Sequence, residues 1–395
     1  MTVRPVRTVR TRLAVAVVAA AVAAGALVAP ATAAEPRQRT HHSGSGHERT
    51  QRALEQAVEA GSPGALAQAA RAGHPTWNGE AGVADRTTGR ERKPEDRFRV
   101  GSITKTFVAT VILQLEAEGR LSLDDTVERW LPGLVRGNGH DGRSVTLRQL
   151  LNHTSGIYSY TEDDAFVRKL FGEGFFEHRY DTWAPRDLVR TAMGHEPYFA
   201  PGTDWRYSNT NYVLAGLVIE KVTGRPYGQE LERRVLRPLG LRATSLPGTR
   251  PGMPRPSGRA YSVLVGPEPG TAIHDVTELN ASAAWSAGEM ISTTGDLNRF
   301  YRALLTGKVL PKGQVRKMTT TVAMGEDAPG LRYGLGLMAQ KLSCGKEVWG
   351  HGGGIHGSSS EAVTTPDGRH ALALNFNSDW AGDGAAVVEA EFCRP

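Results

Sequence analysis

The sequence predicts an α+β protein in which one sheet is assembled from both ends of the chain around a mainly helical insertion. Three observations predict it. Segments of strand composition cluster before about residue 100 and after about residue 310. The stretch between them alternates helical apolar periodicity with Pro/Gly loops. A Pro366-Asp367-Gly368 step separates two strand-like runs, as a hairpin turn would.

The elements follow in order. Met1 to Ala34 carries Arg4, Arg7, Arg10 and Arg12, then an uncharged run from Leu13 to Val28, then Ala31-Thr32-Ala33. This is the pattern of a secretory signal peptide cut near Ala33/Ala34. Its apolar run of ~16 residues falls short of the ~20 a membrane span requires, and no lipidation cysteine follows. A released protein without a stable membrane anchor is expected. Residues 34–48 are polar and glycine-containing and read as a flexible linker. His41, His42 and His47 lie there without a packed surround, so no metal site is assigned. Arg49 to Ala60 fits a short helix. Ala65 to Val83 is ambiguous, because its alanines favour helix while Gly73, Pro75 and Gly79 cut it into strand-length pieces. Ile103 to Glu118 is the clearest helix, with Ile103, Phe107, Val111 and Leu115 on one face and Gly119 just beyond. Asn211 to Val222 and Thr294 to Leu305 are further helical runs. Lys346 to Gly350, Ser358 to Thr364 and His370 to Asn375 have strand composition, and Ala385 to Phe392 ends the chain as a helix. The expected division is therefore 1–33 signal, 34–48 linker and 49–395 one folded domain, with its sheet from about 49–100 and 310–395 and its helical region about 101–309.

Hydrophobic residues make up 39 % and charged residues 22 % of the chain, which suits a globular protein. The formal charge of +6 falls to +2 without the leader, which holds four arginines and no acid. The remaining charges are interleaved, and no nucleic-acid partner is inferred. Cys344 and Cys393 form an even pair that suits an oxidising compartment. A bond between them would close a 49-residue loop, worth ~4 kcal/mol in the chain-entropy model.

The search for chemistry proceeds by exclusion. Gly-x-Ser-x-Gly and His-Glu-x-x-His are absent, and Gly350 to Gly354 lacks the Gly-Lys-Ser/Thr of a phosphate loop. No cofactor and no metal site follow. Ser-x-x-Lys occurs twice, as Ser102-Ile103-Thr104-Lys105 and Ser343-Cys344-Gly345-Lys346. Ser102 opens the strongest helix, where a three-residue spacing puts Ser and Lys on one face and the helix terminus offers free N–H groups to an anion. Ser343 has no such helix and is set aside. A serine hydroxyl needs a neighbouring base, and a lysine serves once its pKa is lowered. Tyr207-Ser208-Asn209 adds a phenol able to relay protons and, two residues on in an extended segment, a carboxamide able to hold a substrate amide. Trp349-Gly350-His351-Gly352-Gly353-Gly354 ends a strand where glycines permit close approach of a substrate.

Together these motifs resemble the serine penicillin-recognising hydrolases: DD-peptidases, class C β-lactamases and related esterases. The likeness also includes Gly82-Val83-Ala84-Asp85, Phe98-Arg99-Val100-Gly101-Ser102, Leu150 to Gly156, Ile291-Ser292-Thr293-Thr294 and Tyr333-Gly334-Leu335-Gly336-Leu337. Within the family the chain is similar to the secreted actinomycete D-alanyl-D-alanine carboxypeptidases, which share Leu342-Ser343-Cys344-Gly345 and a late cysteine. The resemblance implies an antiparallel sheet flanked by N- and C-terminal helices, a mainly helical inserted region and a site in the cleft between them. It implies that Ala65 to Val83 is strand, that Ser102 is the acylated nucleophile, that Lys105 activates it and that Tyr207 relays a proton to the leaving group. Asn209 would hold the substrate amide, and His351 would stand where many relatives carry the lysine of Lys-Thr-Gly. Gly353 and Gly354 would line the substrate, with the N–H groups of Ser102 and Gly354 as oxyanion hole. His153 is read as a loop-fixing residue.

Two departures bear on substrate. His351-Gly352-Gly353-Gly354 lacks the hydroxyls of His-Thr-Gly-Thr, and Met338 stands where the relatives have an arginine. Those groups bind a free carboxylate in the relatives, and only Lys341, Arg332 or His356 remain to replace them. The expectation is a serine hydrolase acting on peptidoglycan-derived peptides as a D-Ala-D-Ala carboxypeptidase. The alternatives are an esterase, D-amino-acid amidase or β-lactamase-like hydrolase acting on esters, amides or β-lactams, and a penicillin- or muropeptide-binding protein without turnover.

Overall fold

In the computed structural model, which describes residues 46–264, 271–325 and 328–393, strands from both ends of the chain pair into one antiparallel sheet. The leader and most of the linker expected from the sequence lie outside the described residues. From the first end come β1 (Gly64–Arg71), β2 (Trp77–Asp85) and β3 (Arg90–Glu91). From the second come β4 (Val322–Ala323), β5 (Leu331–Tyr333), β6 (Met338–Lys341), β7 (Glu347–Ile355), β8 (Ser358–Thr364) and β9 (His370–Phe376). The order is β4-β5-β6-β7-β8-β9-β1-β2-β3, so the first and last strands are neighbours, with Leu66 opposite Asn375.

Alanine-rich β1 is a strand because it lies inside the sheet, paired on both sides and covered on both faces. Ala65, Ala67 and Ala69 pack toward one core and Leu66 toward the other, a period-2 alternation in which small side chains admit helices closely. Packing thus overrides the helical propensity of alanine. On one face lie α1 (Glu48–Glu59), through Leu54 and Ala57, and the last helix, through Val387, Val388 and Phe392. The larger core on the other face contains α2 (Thr104–Ala117), α3 (Asn209–Thr223) and α4 (Thr294–Leu305). The periodicity suggested one buried face for α2, yet everything from Thr104 to Leu113 is buried. A helix apolar on all sides belongs in the interior. α5 (Lys312–Met318) follows, so strand pairing resumes only at Val322, later than the sequence boundary near 310. α6 (Gly384–Phe392) closes the fold.

The expected linker ends earlier than 48. His47 stacks on Trp77 and its Nδ1 meets Glu391 Oε2 at 2.8 Å, so the chain is held from there onward. Among the described residues, no helix is long and apolar enough to cross a membrane.

Candidate active site

Ser102 sits in a 3-10 turn, Gly101–Ile103, that runs directly into α2. The turn is fixed from behind. Val100 N–H donates to the Met290 carbonyl at 2.9 Å, and Met290 N–H donates to Thr104 Oγ1 at 3.2 Å. Gly101 has φ +51, and a Cβ there would stand 2.7 Å from the Gly354 carbonyl oxygen, so only glycine lets the turn press against β7.

Lys105 lies one turn into the helix and is fully buried. Its Nζ is 2.9 Å from Ser102 Oγ, 2.8 Å from Asn209 Oδ1 and 2.7 Å from the Ala287 carbonyl. Burial holds its pKa well below the ordinary lysine value. A neutral amine has two N–H groups and one lone pair, and two of the three neighbours are pure acceptors. In the neutral form the lone pair would therefore face Ser102, placed to take its proton.

Tyr207 stands beside this pair, with Lys105 Nζ 4.8 Å from its ring centroid. Its hydroxyl oxygen is sealed from solvent and makes no hydrogen bond within 3.5 Å among the described residues. Burial pushes the phenol above its ordinary value, and Ser102, the polar group it faces, pulls weakly the other way. His153, with φ +63, holds this segment: its Nδ1 accepts from Ser208 N–H and Asn211 Nδ2, both at 3.2 Å.

Three of the sequence readings change. Asn209 is not in an extended segment with Tyr207; it is the first residue of α3, after the extended Ser208. Its Oδ1 accepts from Lys105 and its Nδ2 donates to Thr161 Oγ1 at 3.0 Å, so it positions the lysine while also lining the cleft beside Ser102. The glycine run does not end a strand, since β7 continues to Ile355. A Cβ at Gly353 would lie 1.9 Å from the Val100 carbonyl oxygen and 3.1 Å from Ser102 N, so this glycine admits the protein's own nucleophile turn. Gly354 opens onto free space.

His351 is buried on β7 and offers neither ring nitrogen freely. Nδ1 is 2.5 Å from the Gly352 carbonyl, which can only accept, so the proton is assigned there. Nε2 then accepts from the Tyr333 hydroxyl at 2.8 Å. Burial, then Lys105, lower its pKa to about 3, so it stands uncharged where relatives carry a cation. Tyr333 was missed by sequence reasoning, although it heads the quoted Tyr333-Gly334-Leu335-Gly336-Leu337 motif.

Beside Ser102 opens a cleft lined by Tyr160, Phe166, Leu170, Phe171, Leu279 and Ile355 together with several alanines, Asn209, Gly354 and His356. No Lys, Arg, Asp or Glu is among its lining residues. His356 has Nε2 on the Leu170 carbonyl, and its pKa falls to about 4, chiefly through burial. Of the other two replacements for the missing carboxylate partners, Arg332 pairs with Glu347 and Lys341 is exposed at the far end of β6 from Met338. The second Ser-x-x-Lys is not a pair: Ser343 Oγ donates to Glu389 and Lys346 Nζ to the Phe392 carbonyl. Cys344 and Cys393 are joined, with Cα atoms 5.6 Å apart. They also form, with Glu389, the one cluster of metal-ligating types among the described residues, and both sulfurs are spent in the bond.

The Beta-lactamase family model matches residues 50–389. The chain belongs to the Beta-lactamase family. As a member of it, the chain is a serine hydrolase with the family's α+β fold. Penicillin-binding protein 4* of Bacillus subtilis is 29 % identical over 79 % of this chain and 67 % of its own length. Esterase EstB of Burkholderia gladioli is 36 % identical over 45 % of this chain and 46 % of its own. The chain thus spans about two thirds or less of these relatives. Among solved structures, a D-stereospecific amidohydrolase from Streptomyces sp. is 64 % identical with a TM-score of 0.83, covering 88 % of this chain and 98 % of that one. D-amino acid amidase from Ochrobactrum anthropi SV3, complexed with L-phenylalanine amide, is 28 % identical with a TM-score of 0.75, covering 87 % and 98 %.

Proposed function

We propose that this protein is a secreted, D-stereospecific amide and ester hydrolase that acts through an acyl-Ser102 intermediate on substrates with an apolar or aromatic side chain. The observation that carries the reading is the apolar cleft beside Ser102, which has no cation on its lining. The stereochemical part rests on the likeness to the D-stereospecific amidohydrolase and the D-amino acid amidase. Export rests on the leader pattern and suits a disulfide-bonded chain.

In the first step Ser102 Oγ attacks the carbonyl carbon while its proton passes to Lys105 Nζ. The charge forming on the carbonyl oxygen is met by the N–H groups of Ser102 and Gly354, where each oxyanion-hole donor is typically worth ~2.7–4 kcal/mol in kcat. The C–N or C–O bond then breaks, and the leaving group takes a proton through the Tyr207 hydroxyl, which Lys105 replenishes. Water attacks the acyl-Ser102 ester with Lys105 again as base, releasing the acid and restoring the serine. Asn209 and Ala287 hold Lys105 Nζ in place as it gains and gives up that proton, and Tyr333 keeps His351 in one tautomer behind Tyr207.

A D-Ala-D-Ala carboxypeptidase must bind a free carboxylate in the cleft, and desolvating that charge without a partner is costly. Met338, Gly352 and Gly354 offer no side-chain donor. The amidase reading is therefore preferred. The deciding experiment measures kcat/KM for D-phenylalanine amide, L-phenylalanine amide and a peptide ending in D-Ala-D-Ala, with intact-mass detection of the acyl adduct. The D-amide should be turned over fastest. Faster cleavage of the free-carboxylate peptide restores the carboxypeptidase reading, and an adduct that never decays makes the protein a binder.

A further inference from the structure

No hydrogen bond among the described residues holds the Tyr207 hydroxyl, and the rings of Tyr333 and His351 stand 6.3 and 6.4 Å from its own. A group that passes a proton in a transition state has to be fixed to within about 0.5 Å. For Tyr207 that constraint comes from its backbone and its ring, and both lead to His153. The His153 carbonyl accepts from Arg206 N–H at 3.1 Å, and its Nδ1 accepts from Ser208 N–H at 3.2 Å. The residues immediately before and after Tyr207 are thus tied to one histidine. The imidazole also lies against the phenol, with ring centroids 4.2 Å apart and planes tilted by 34°.

The histidine ring is oriented in turn. Ser155 Oγ donates to Asn211 Oδ1 at 2.7 Å, which leaves Asn211 Nδ2 to donate to His153 Nδ1 at 3.2 Å. Two donors on Nδ1 assign the imidazole proton to Nε2. Burial, then Lys105 and His351, hold the pKa of His153 well below the ordinary histidine value, so the ring is uncharged and Nδ1 stays an acceptor. The arrangement carries two local penalties. His153 takes φ +63, a conformation unfavourable for a residue with a Cβ, and its Nε2 is sealed from solvent with no hydrogen-bond partner among the described residues. Strain of this kind persists where the surrounding structure imposes it, and it clusters at active sites.

We infer that His153 is a positioning residue for leaving-group protonation: it clamps the backbone on both sides of Tyr207, seats the phenol, and so sets how readily poor leaving groups depart. The inference rests on the acyl-Ser102 chemistry proposed above. When the C–N bond of an amide breaks, its electron pair goes to nitrogen, which takes the Tyr207 proton, and Lys105 replaces that proton. An activated ester expels a stable phenolate that needs none. His153 makes no hydrogen bond to Ser102 or Lys105, so activation of the nucleophile does not pass through it. Its loss should therefore be felt by amides and hardly by activated esters.

The test compares kcat/KM, which reports acylation, for the amide and the p-nitrophenyl ester of one acyl group. That group is the one the unaltered protein accepts best, so a wrong substrate class overturns the function proposed above and leaves this comparison standing. His153→Ala should lower the amide rate by roughly 10²-fold and the ester rate by less than about threefold. His153→Asn, which keeps an acceptor on the short side chain and tolerates positive φ, should recover most of the amide rate. Tyr207→Phe should show the same selective loss, and adding His153→Ala to it should cost little more. Equal losses for amide and ester in His153→Ala, with Tyr207→Phe still amide-selective, would overturn the inference alone. Equal losses in Tyr207→Phe would overturn the relay and this inference with it. If His153→Ala fails to fold, 15N spectra of the histidine-labelled, unaltered protein decide: a bare Nδ1 at neutral pH supports the clamp on Ser208, and a protonated Nδ1 overturns it.

Discussion

Truncating Phe171 to alanine should cost aromatic substrates far more than small ones. Phe171 lines the cleft, is 39 % exposed and stacks on His356 at 4.7 Å between centroids, so the fold uses only part of its ring. Fully burying a phenylalanine side chain is worth about 1.5–3 kcal/mol. The two fifths left exposed correspond to about 0.6–1.2 kcal/mol, and the matching face of a substrate ring roughly doubles that to about 1.2–2.4 kcal/mol. In kcat/KM this is a loss of roughly 8- to 60-fold for D-phenylalanine amide. D-Alanine amide, whose methyl offers little matching area, should lose less than about twofold. Both rates are measured by ammonia release at substrate concentrations well below KM, with circular dichroism as the check on folding. Equal losses for the two amides, or none for either, would refute the assignment of this cleft to the substrate side chain.

Ser102→Ala should abolish turnover and labelling by an acylating probe, whereas Ser343→Ala, altering an exposed turn bonded to Glu389, should leave both intact; the reverse result would mean the other Ser-x-x-Lys is the site. Because burial depresses the pKa of Lys105 and the base must be neutral, kcat/KM should fall as pH drops through that lowered pKa; an acid limb centred near the ordinary lysine value of 10.5 would contradict this. Burial pushes Glu391 up, but hydrogen bonds from His370, His47 and Thr50 outweigh it and bring its pKa to about 2. That stabilisation is complete above the unfolded value near 4.5 and is lost as pH falls through about 2, so Glu391→Gln should flatten the stability profile over that window in urea titrations. Replacing Cys344 and Cys393 by serine should lower stability by at most about 4 kcal/mol for the 49-residue loop, since Arg49, Lys346 and Ser343 still bind the last helix. Denaturant midpoints measure it, and an unchanged midpoint would show that these ties suffice.

What the sequence made legible was local. Ser102 and Lys105 could be paired because a helix start and a three-residue spacing are both written in adjacent letters. Thr294–Leu305 emerged with the limits its periodicity indicates, and the Pro366-Asp367-Gly368 turn joins the strands it separates. The cleft was invisible, because Phe166, Leu279 and Ile355 converge from segments that no pattern links. The identity of β1 was obscured because alanine's preference is decided by what covers it, here helices on both faces. The Lys105 side of Asn209 was hidden for a related reason: a carboxamide near a lysine can serve substrate, protein or both, and its bonds to Lys105 and Thr161 appear only in the fold. Tyr333 needed the third dimension too, since its hydroxyl reaches His351 across the sheet.

The adjacency of β1 and β9 also sets a timetable. β1, an interior strand of the sheet, meets one of its neighbours only when residues roughly three hundred positions downstream have been made. Until then β1, β2 and β3 have an open edge on the β1 side, and α1 lacks the helix it will lean on. Pairing over such a separation is slow, and open edges invite association with other chains. A polypeptide with this layout gains by staying unfolded until β9 is available to pair. The His47 and His370 bonds to Glu391 then act as a latch, closing start to finish only once both ends have arrived.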